Sequence, residues 1–73
     1  MDLHAYLSKH DGRPRTDGDE GIRLARAVGM SPYYLYLTAL GHKRVGKARA
    51  DKLAAASIGS ELEAGQVNTH SRG

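Results

Sequence analysis

Residues 21–41 constrain the fold of this chain more than any other stretch. They read GIRLARAVGMSPYYLYLTALG. In the first half, Leu24, Ala25 and Val28 recur at spacings that place them on one helical face. Gly29 follows directly, where the C-cap of a helix needs a residue that tolerates positive φ. The pattern predicts a short helix that ends at this glycine.

A second helix is predicted to begin almost at once. Ser31 has the side chain of an N-cap, and Pro32 occupies the first helical position, where its missing N–H costs nothing. Leu35, with Thr38 or Ala39, would form the inward face of this helix. We therefore expect two short helices joined by a tight turn.

The order of small and apolar residues across these two helices is that of a helix-turn-helix. Ala25 is small, which allows the helices to cross closely, and Gly29 makes the turn four residues later. Met30 and Leu35 complete the spacing. The predicted fold class is all-α, a small helix-turn-helix bundle of about four short helices.

These residues resemble the Cro and cI class of phage repressor-type helix-turn-helix proteins, and within it small prophage regulators with the pattern LxxYLS…GR…LARAIGVSPSYLS. The resemblance covers residues 1 to about 59 and is interrupted by an apparent insertion at residues 14–20. The usual role of the class is that of a DNA-binding repressor. The matching residues are Leu3, Tyr6, Leu7, Ser8, Gly12, Arg13, Leu24, Ala25, Arg26, Ala27, Val28, Gly29, Ser31, Pro32, Val45, Ala50, Leu53 and Ala56.

The chain as a whole also resembles small lytic-phage regulators that bind host RNA polymerase. That resemblance implies a regulator that inhibits initiation and suppresses termination without a catalytic step. It points to the β′ subunit as the part of the polymerase that is contacted. The two resemblances therefore imply different partners for one scaffold.

Positive charge is concentrated in the middle of the chain, although the formal net charge of the whole chain is only +3. Residues 1–20 hold three basic and five acidic side chains, whereas residues 21–53 hold seven basic and one acidic. A basic half of this kind suits nucleic acid or an acidic protein surface, although a merely solvated face gives the same pattern. The candidate partner-binding cations are Lys43, Arg44 and Lys47. The possible phosphate contacts are Arg23, Arg26 and Arg49.

The second helix of the motif is poorly equipped to read DNA. Its outward positions are Tyr33, Tyr36, Leu37 and Leu40, and no charged or amide side chain occurs in residues 31–41. Bidentate pairing with base edges is therefore impossible, and we expect binding to duplex DNA to be weak and non-specific at most. The apolar positions are either core, covered by the tail or the long loop, or a protein-binding face, for which tyrosine is well suited.

Caps and composition predict the elements on either side of the motif. The first helix runs over residues 2–9 with Asp2 as its N-cap, and the fourth runs over residues 47–57. Residues 10–20 are polar and contain glycine and proline, which predicts a long mobile loop whose Asp19 caps the next helix.

The chain divides into a domain and a tail. We assign residues 1–60 to one helix-turn-helix domain. We assign residues 61–73 to a disordered tail, because Val67 is its only sizeable apolar residue beyond residue 63.

Several function classes are disfavoured by what the sequence lacks. It has no cysteine, and its four histidines are too scattered for metal-ligand spacing. It has no nucleophile–base constellation and no phosphate-binding glycine loop, so we expect neither an enzyme nor a cofactor. No apolar run approaches the length of a membrane span.

We expect a monomer in the cytoplasm of a host bacterial cell. The favoured function is polymerase binding, and the alternative is a Cro-like DNA-binding repressor.

Overall fold

The computed structural model of the protein describes residues 1–68, and within them the chain is an all-helical bundle. Its four α-helices are α1 (Leu3–Asp11), α2 (Asp19–Ala27), α3 (Pro32–Ala39) and α4 (Lys47–Ala56). Two 3₁₀ turns follow, at Ile58–Ser60 and Ala64–Gln66. No strand occurs in residues 1–68, and the predicted all-α class with four short helices is confirmed.

Side-chain caps begin two of the helices where the sequence predicted them. The Asp2 carboxylate accepts a hydrogen bond from the Ala5 N–H at 2.7 Å, which starts α1. The Ser31 hydroxyl accepts one from the Tyr34 N–H at 3.0 Å, with Pro32 as the first residue of α3.

The turn between α2 and α3 has the predicted backbone. Gly29 has a φ of +74°, a conformation that side chains with a Cβ rarely adopt. The Met30 N–H donates to the Ala25 carbonyl at 2.9 Å, and the Met30 side chain is buried. The helix-turn-helix segment is therefore closed by a glycine turn and by an apolar residue that follows it.

The core is built from all four helices and from the segment that follows them. On α3 the inward residues are Leu35, Thr38 and Ala39, as the spacing predicted. Tyr6 is among the largest fully buried side chains. The buried hydrophobic residues are Leu3, Tyr6, Leu7, Leu24, Ala25, Met30, Leu35, Ala39, Val45, Ala50, Leu53, Leu62 and Val67.

The loop between α1 and α2 is shorter than predicted, and its closure differs from the prediction. It spans residues 12–18, because α1 continues to Asp11 and α2 begins at Asp19. Asp19 does not cap α2. Instead the Asp11 carboxylate accepts hydrogen bonds from the Glu20 N–H at 3.0 Å and the Gly21 N–H at 2.9 Å. An acidic side chain from the preceding helix thus satisfies the free N–H groups at the start of α2.

The prediction that the C-terminal tail is disordered is wrong for residues 61–68. Leu62 is 1% exposed and Val67 is fully buried, and the segment packs against α4. Its backbone also meets the N-terminal end, where the Glu63 N–H donates to the Met1 carbonyl at 3.2 Å. Burial of these two apolar side chains offsets part of the conformational entropy that the short segment loses when it is ordered. Residues 69–73, also predicted to be disordered, lie outside the described part of the chain.

Candidate partner-binding surface

The outward side of α3 carries a contiguous aromatic and aliphatic surface, which we call the tyrosine face: Tyr33, Tyr36, Leu37 and Leu40. Tyr33 is 61% exposed, and the other three are half-buried. The rings of Tyr33 and Tyr36 lie with their centroids 6.4 Å apart, inclined by 30°. Tyrosine and leucine are thus presented together on one helix.

The tyrosine face is distinct from the core. Leu37 and Leu40 do not belong to the buried cluster, which α3 contacts through Leu35, Ala39 and the partly buried Tyr34. The sequence offered two possible covers: the C-terminal segment packs against α4, and the loop between α1 and α2 meets this face at Tyr36. Leu37 and Leu40 therefore keep part of their apolar surface in contact with solvent.

Tyr34 has a role that the sequence did not indicate. Its hydroxyl donates to the Arg44 carbonyl at 2.9 Å. This bond joins the start of α3 to the basic connection, by which we mean residues 42–46 between α3 and α4. Of the three tyrosines in α3, one therefore positions a neighbouring segment and two belong to the tyrosine face.

The basic connection is also held from its other side. The Asn68 side-chain amide accepts from the Val45 N–H at 3.0 Å and donates to the Val45 carbonyl at 2.9 Å. An Arg44 guanidinium N–H donates to the Asn68 carbonyl at 3.4 Å. Lys43 and Arg44 are exposed on a segment whose backbone is fixed by α3 and by the C-terminal segment.

The predicted cations are only partly gathered into one place. Arg44 and Arg49, together with Lys52, line a shallow groove whose floor includes Val28 and Tyr34. Lys47 lines a different groove and is paired with Asp51 at 3.4 Å, an exposed pair of small energetic value. The two grooves meet at Arg44 and Val45, which line both of them, at the start of α4.

Arg23, predicted as a possible phosphate contact, is exposed and also takes part in the internal structure. Its guanidinium donates to both carboxylate oxygens of Glu20, at 2.7 and 2.6 Å, and to the Ala56 carbonyl at 2.7 Å. The Tyr6 hydroxyl donates to Glu20 and accepts from the Ile58 N–H at 2.8 Å. Arg23 therefore ties α2 to the end of α4.

The protonation of this network follows from its partners. Glu20 is only 7% exposed, and burial by itself raises the pKa of its carboxyl group. Hydrogen bonds from Arg23 and Tyr6 outweigh burial, so the pKa of Glu20 lies below its ordinary value. Burial and the hydrogen bond to Glu20 raise the pKa of Tyr6. The network is therefore an ionised carboxylate held by one guanidinium and one hydroxyl.

Arg26 and Arg49, the other two possible phosphate contacts, are exposed. Neither forms an ion pair within residues 1–68. In the same residues, no three histidine, aspartate or glutamate side chains are grouped so that they could hold a metal ion. None of the helices described for this chain has the length and apolar character needed to cross a membrane.

The comparisons with known proteins return no match to a family model, to a curated protein or to a solved structure. The surfaces of this chain and the resemblance that its sequence motifs carry are therefore the basis for inferring its function.

Proposed function

We propose that the protein is a phage-type transcription regulator that binds host bacterial RNA polymerase through its helix-turn-helix scaffold. It acts in the host cytoplasm without a catalytic step, and it inhibits initiation, prevents termination, or does both. The observation that carries this proposal is the tyrosine face, an aromatic and aliphatic surface at the position where a DNA-reading relative would carry polar side chains.

The chemistry of the tyrosine face favours a protein partner over DNA. Each bidentate contact to a base edge is worth about 1–3 kcal/mol of sequence discrimination, and this face offers none. Aromatic anchors at protein interfaces typically contribute about 2 kcal/mol or more each. Tyr33 and Tyr36 supply anchors of that kind on one helix, and Leu37 adds apolar surface beside them.

The basic connection adds an electrostatic component to the same interaction. Lys43 and Arg44 are exposed, and the two hydrogen bonds of Asn68 to Val45 fix their backbone. Exposed cations accelerate encounter with an acidic protein surface and orient it. Polymerase subunits with an acidic contact surface are the expected targets, the β′ subunit first because of the resemblance.

A Cro-like DNA-binding repressor is the second candidate. The groove that contains Arg44, Arg49 and Lys52 supports it, because clustered cations bind phosphates. Such contacts give affinity without sequence information. This candidate therefore predicts salt-sensitive binding to duplex DNA. Recognition of a defined operator would require side chains outside the tyrosine face to contact the base edges.

A titration at matched salt separates the two candidates. The protein is titrated with core RNA polymerases from a panel of bacteria and, in parallel, with duplex DNA of random sequence. We expect saturable binding to at least one polymerase at physiological salt, crosslinking to its β′ subunit, and duplex binding that weakens steeply with salt. A footprint on a defined DNA site, together with no binding to any polymerase, would contradict the proposed function and support the DNA-binding repressor instead.

A further inference from the structure

The loop between α1 and α2 forms an open cleft with Tyr36 of the tyrosine face. The cleft has a volume of about 430 Å³ and joins segments that are about twenty residues apart in the sequence. The ring of Tyr33, which does not line the cleft, lies beside that of Tyr36. The lining residues are Arg13, Pro14, Arg15, Thr16, Asp17 and Tyr36.

The two arginines of this cleft have different surroundings. Arg15 donates to both carboxylate oxygens of Asp17, at 2.6 and 3.3 Å, and this pairing lowers the pKa of Asp17. Arg13 is exposed and forms no ion pair with any carboxylate in residues 1–68. Arg13 thus has no carboxylate of residues 1–68 within ion-pair distance, although its charge helps to lower the pKa of Asp17, and it lines the cleft together with Pro14 and Tyr36.

We propose that this cleft receives an extended polypeptide segment of the partner, with one carboxylate beside an aromatic or aliphatic side chain. The carboxylate pairs with Arg13, and the apolar side chain packs on Pro14 and Tyr36. Arginine and tyrosine are the residue types that most often anchor protein interfaces. The identity of the partner as a polymerase rests on the proposed function, whereas the chemistry of the bound segment rests on the cleft alone.

A single-stranded nucleic acid is the main competitor, because aromatic rings beside arginines also stack bases. The charges around the cleft disfavour it. Asp11, Asp17 and Asp19 line an adjoining depression, against Arg13 and Arg15 as the nearby cations. A nucleic acid carries one negative charge per nucleotide and would bring several close to these carboxylates. A peptide needs only one carboxylate, which it can place at Arg13.

The first test is independent of polymerase. Random ten-residue peptides are selected on the wild-type protein alone. We expect the enriched peptides to share one Asp or Glu next to an apolar residue. Their binding should weaken about tenfold in Arg13→Glu and about 30-fold in Tyr36→Ala.

Lys52→Glu is the matched control for charge, since it makes the same charge reversal at an exposed residue outside the cleft. It should change peptide binding less than about twofold, and Arg13→Glu should melt within a few degrees of wild type because Arg13 is exposed. Enriched peptides that lack an acidic residue, or peptides indifferent to Arg13→Glu, would overturn the proposal. So would tight binding of a 15-mer of thymidylate at physiological salt that depends on Arg13.

A competition experiment with polymerase separates the two proposals. If polymerase binds but ignores both the selected peptides and Arg13→Glu, the cleft proposal fails while the proposed function stands. If the peptides bind as described but no polymerase binds, the cleft proposal stands and the proposed function fails. Both proposals gain support when the peptides displace polymerase and Arg13→Glu weakens its binding about tenfold.

Discussion

Replacing Val67 by alanine tests whether the C-terminal segment belongs to the folded domain. Val67 is fully buried in the core cluster and lies in the segment that packs against α4. The substitution removes two methyl groups from an enclosed site while leaving the backbone of the segment unchanged. It therefore measures the packing of this segment without deleting it.

The structure sets the size of the expected effect. Each buried methyl or methylene group contributes about 0.8 kcal/mol, so that two contribute about 1.6 kcal/mol. Incomplete collapse of the surroundings raises the expected loss to about 2–3 kcal/mol. A domain of this length has a total stability of roughly 4–11 kcal/mol, so the loss is a large fraction of it.

The assay is thermal and urea unfolding followed by circular dichroism. For a domain of this size, the expected loss lowers Tm by at least about 8 °C. Ile58→Ala is the matched control, because Ile58 is 46% exposed and lies nearby in sequence. It removes more apolar atoms than Val67→Ala and should nevertheless cost less than about 1 kcal/mol. A Val67→Ala protein that melts within about 2 °C of wild type would refute the packing of residues 61–68.

Three further predictions follow from single contacts. Asn68→Ala should speed hydrogen exchange of the Val45 amide, whose hydrogen bond it removes, and should slow association with polymerase more than it lowers Tm; unchanged exchange would contradict the role of Asn68. The pKa of Glu20 is lower in the folded protein than its ordinary value of 4.5. Ionised Glu20 therefore stabilises the fold at pH values above 4.5. That stability is lost as the pH falls through the lowered pKa of the folded protein. Glu20→Gln should therefore flatten the acid limb of a Tm-against-pH curve, and a curve of unchanged slope would count against the network. Gly18→Ala should lower Tm, because a Cβ there would lie 2.3 Å from Asp11 Oδ2 and displace the carboxylate that caps α2; an unchanged Tm would show that the cap tolerates this displacement.

Features decided by neighbouring residues were predictable from the sequence. The caps at Asp2 and Ser31 and the positive φ of Gly29 each depend on the chemistry of a few adjacent positions. The inward face of α3 follows from helical periodicity alone. Local rules therefore fixed the number of helices and the turn of the helix-turn-helix.

Features decided by tertiary proximity were not predictable. The Asp11 carboxylate caps α2 only because the loop of residues 12–18 folds back, and Arg23 reaches Ala56 only because α2 lies beside α4. Asn68 meets Val45 across 23 residues of sequence. A polar residue gives no sign, in one sequence, of which distant backbone group it will bind.

The candidate surface was predictable in part. The sequence identified the side chains of the tyrosine face but left open whether they were core. The exposure of Tyr33 and the absence of Leu37 from the buried cluster favour a surface position over a core position for these side chains. The sequence offered the loop as a possible cover for α3, but it could not place residues 13–17 in a cleft with Tyr36.

The most direct test of the central claim is a pair of identical substitutions two residues apart on α3, Leu35→Ala and Leu37→Ala. Leu35 is a fully buried core residue, and Leu37 belongs to the tyrosine face. Each variant is assayed by thermal melting and by the affinity of its folded fraction for polymerase. We expect Leu35→Ala to lose about 2–5 kcal/mol of stability while its folded fraction binds normally. Leu37→Ala should lose less than about 1 kcal/mol of stability and about 30-fold in affinity. If Leu37→Ala instead melts as early as Leu35→Ala and its folded fraction binds like wild type, Leu37 belongs to the core and the tyrosine face is not a binding surface.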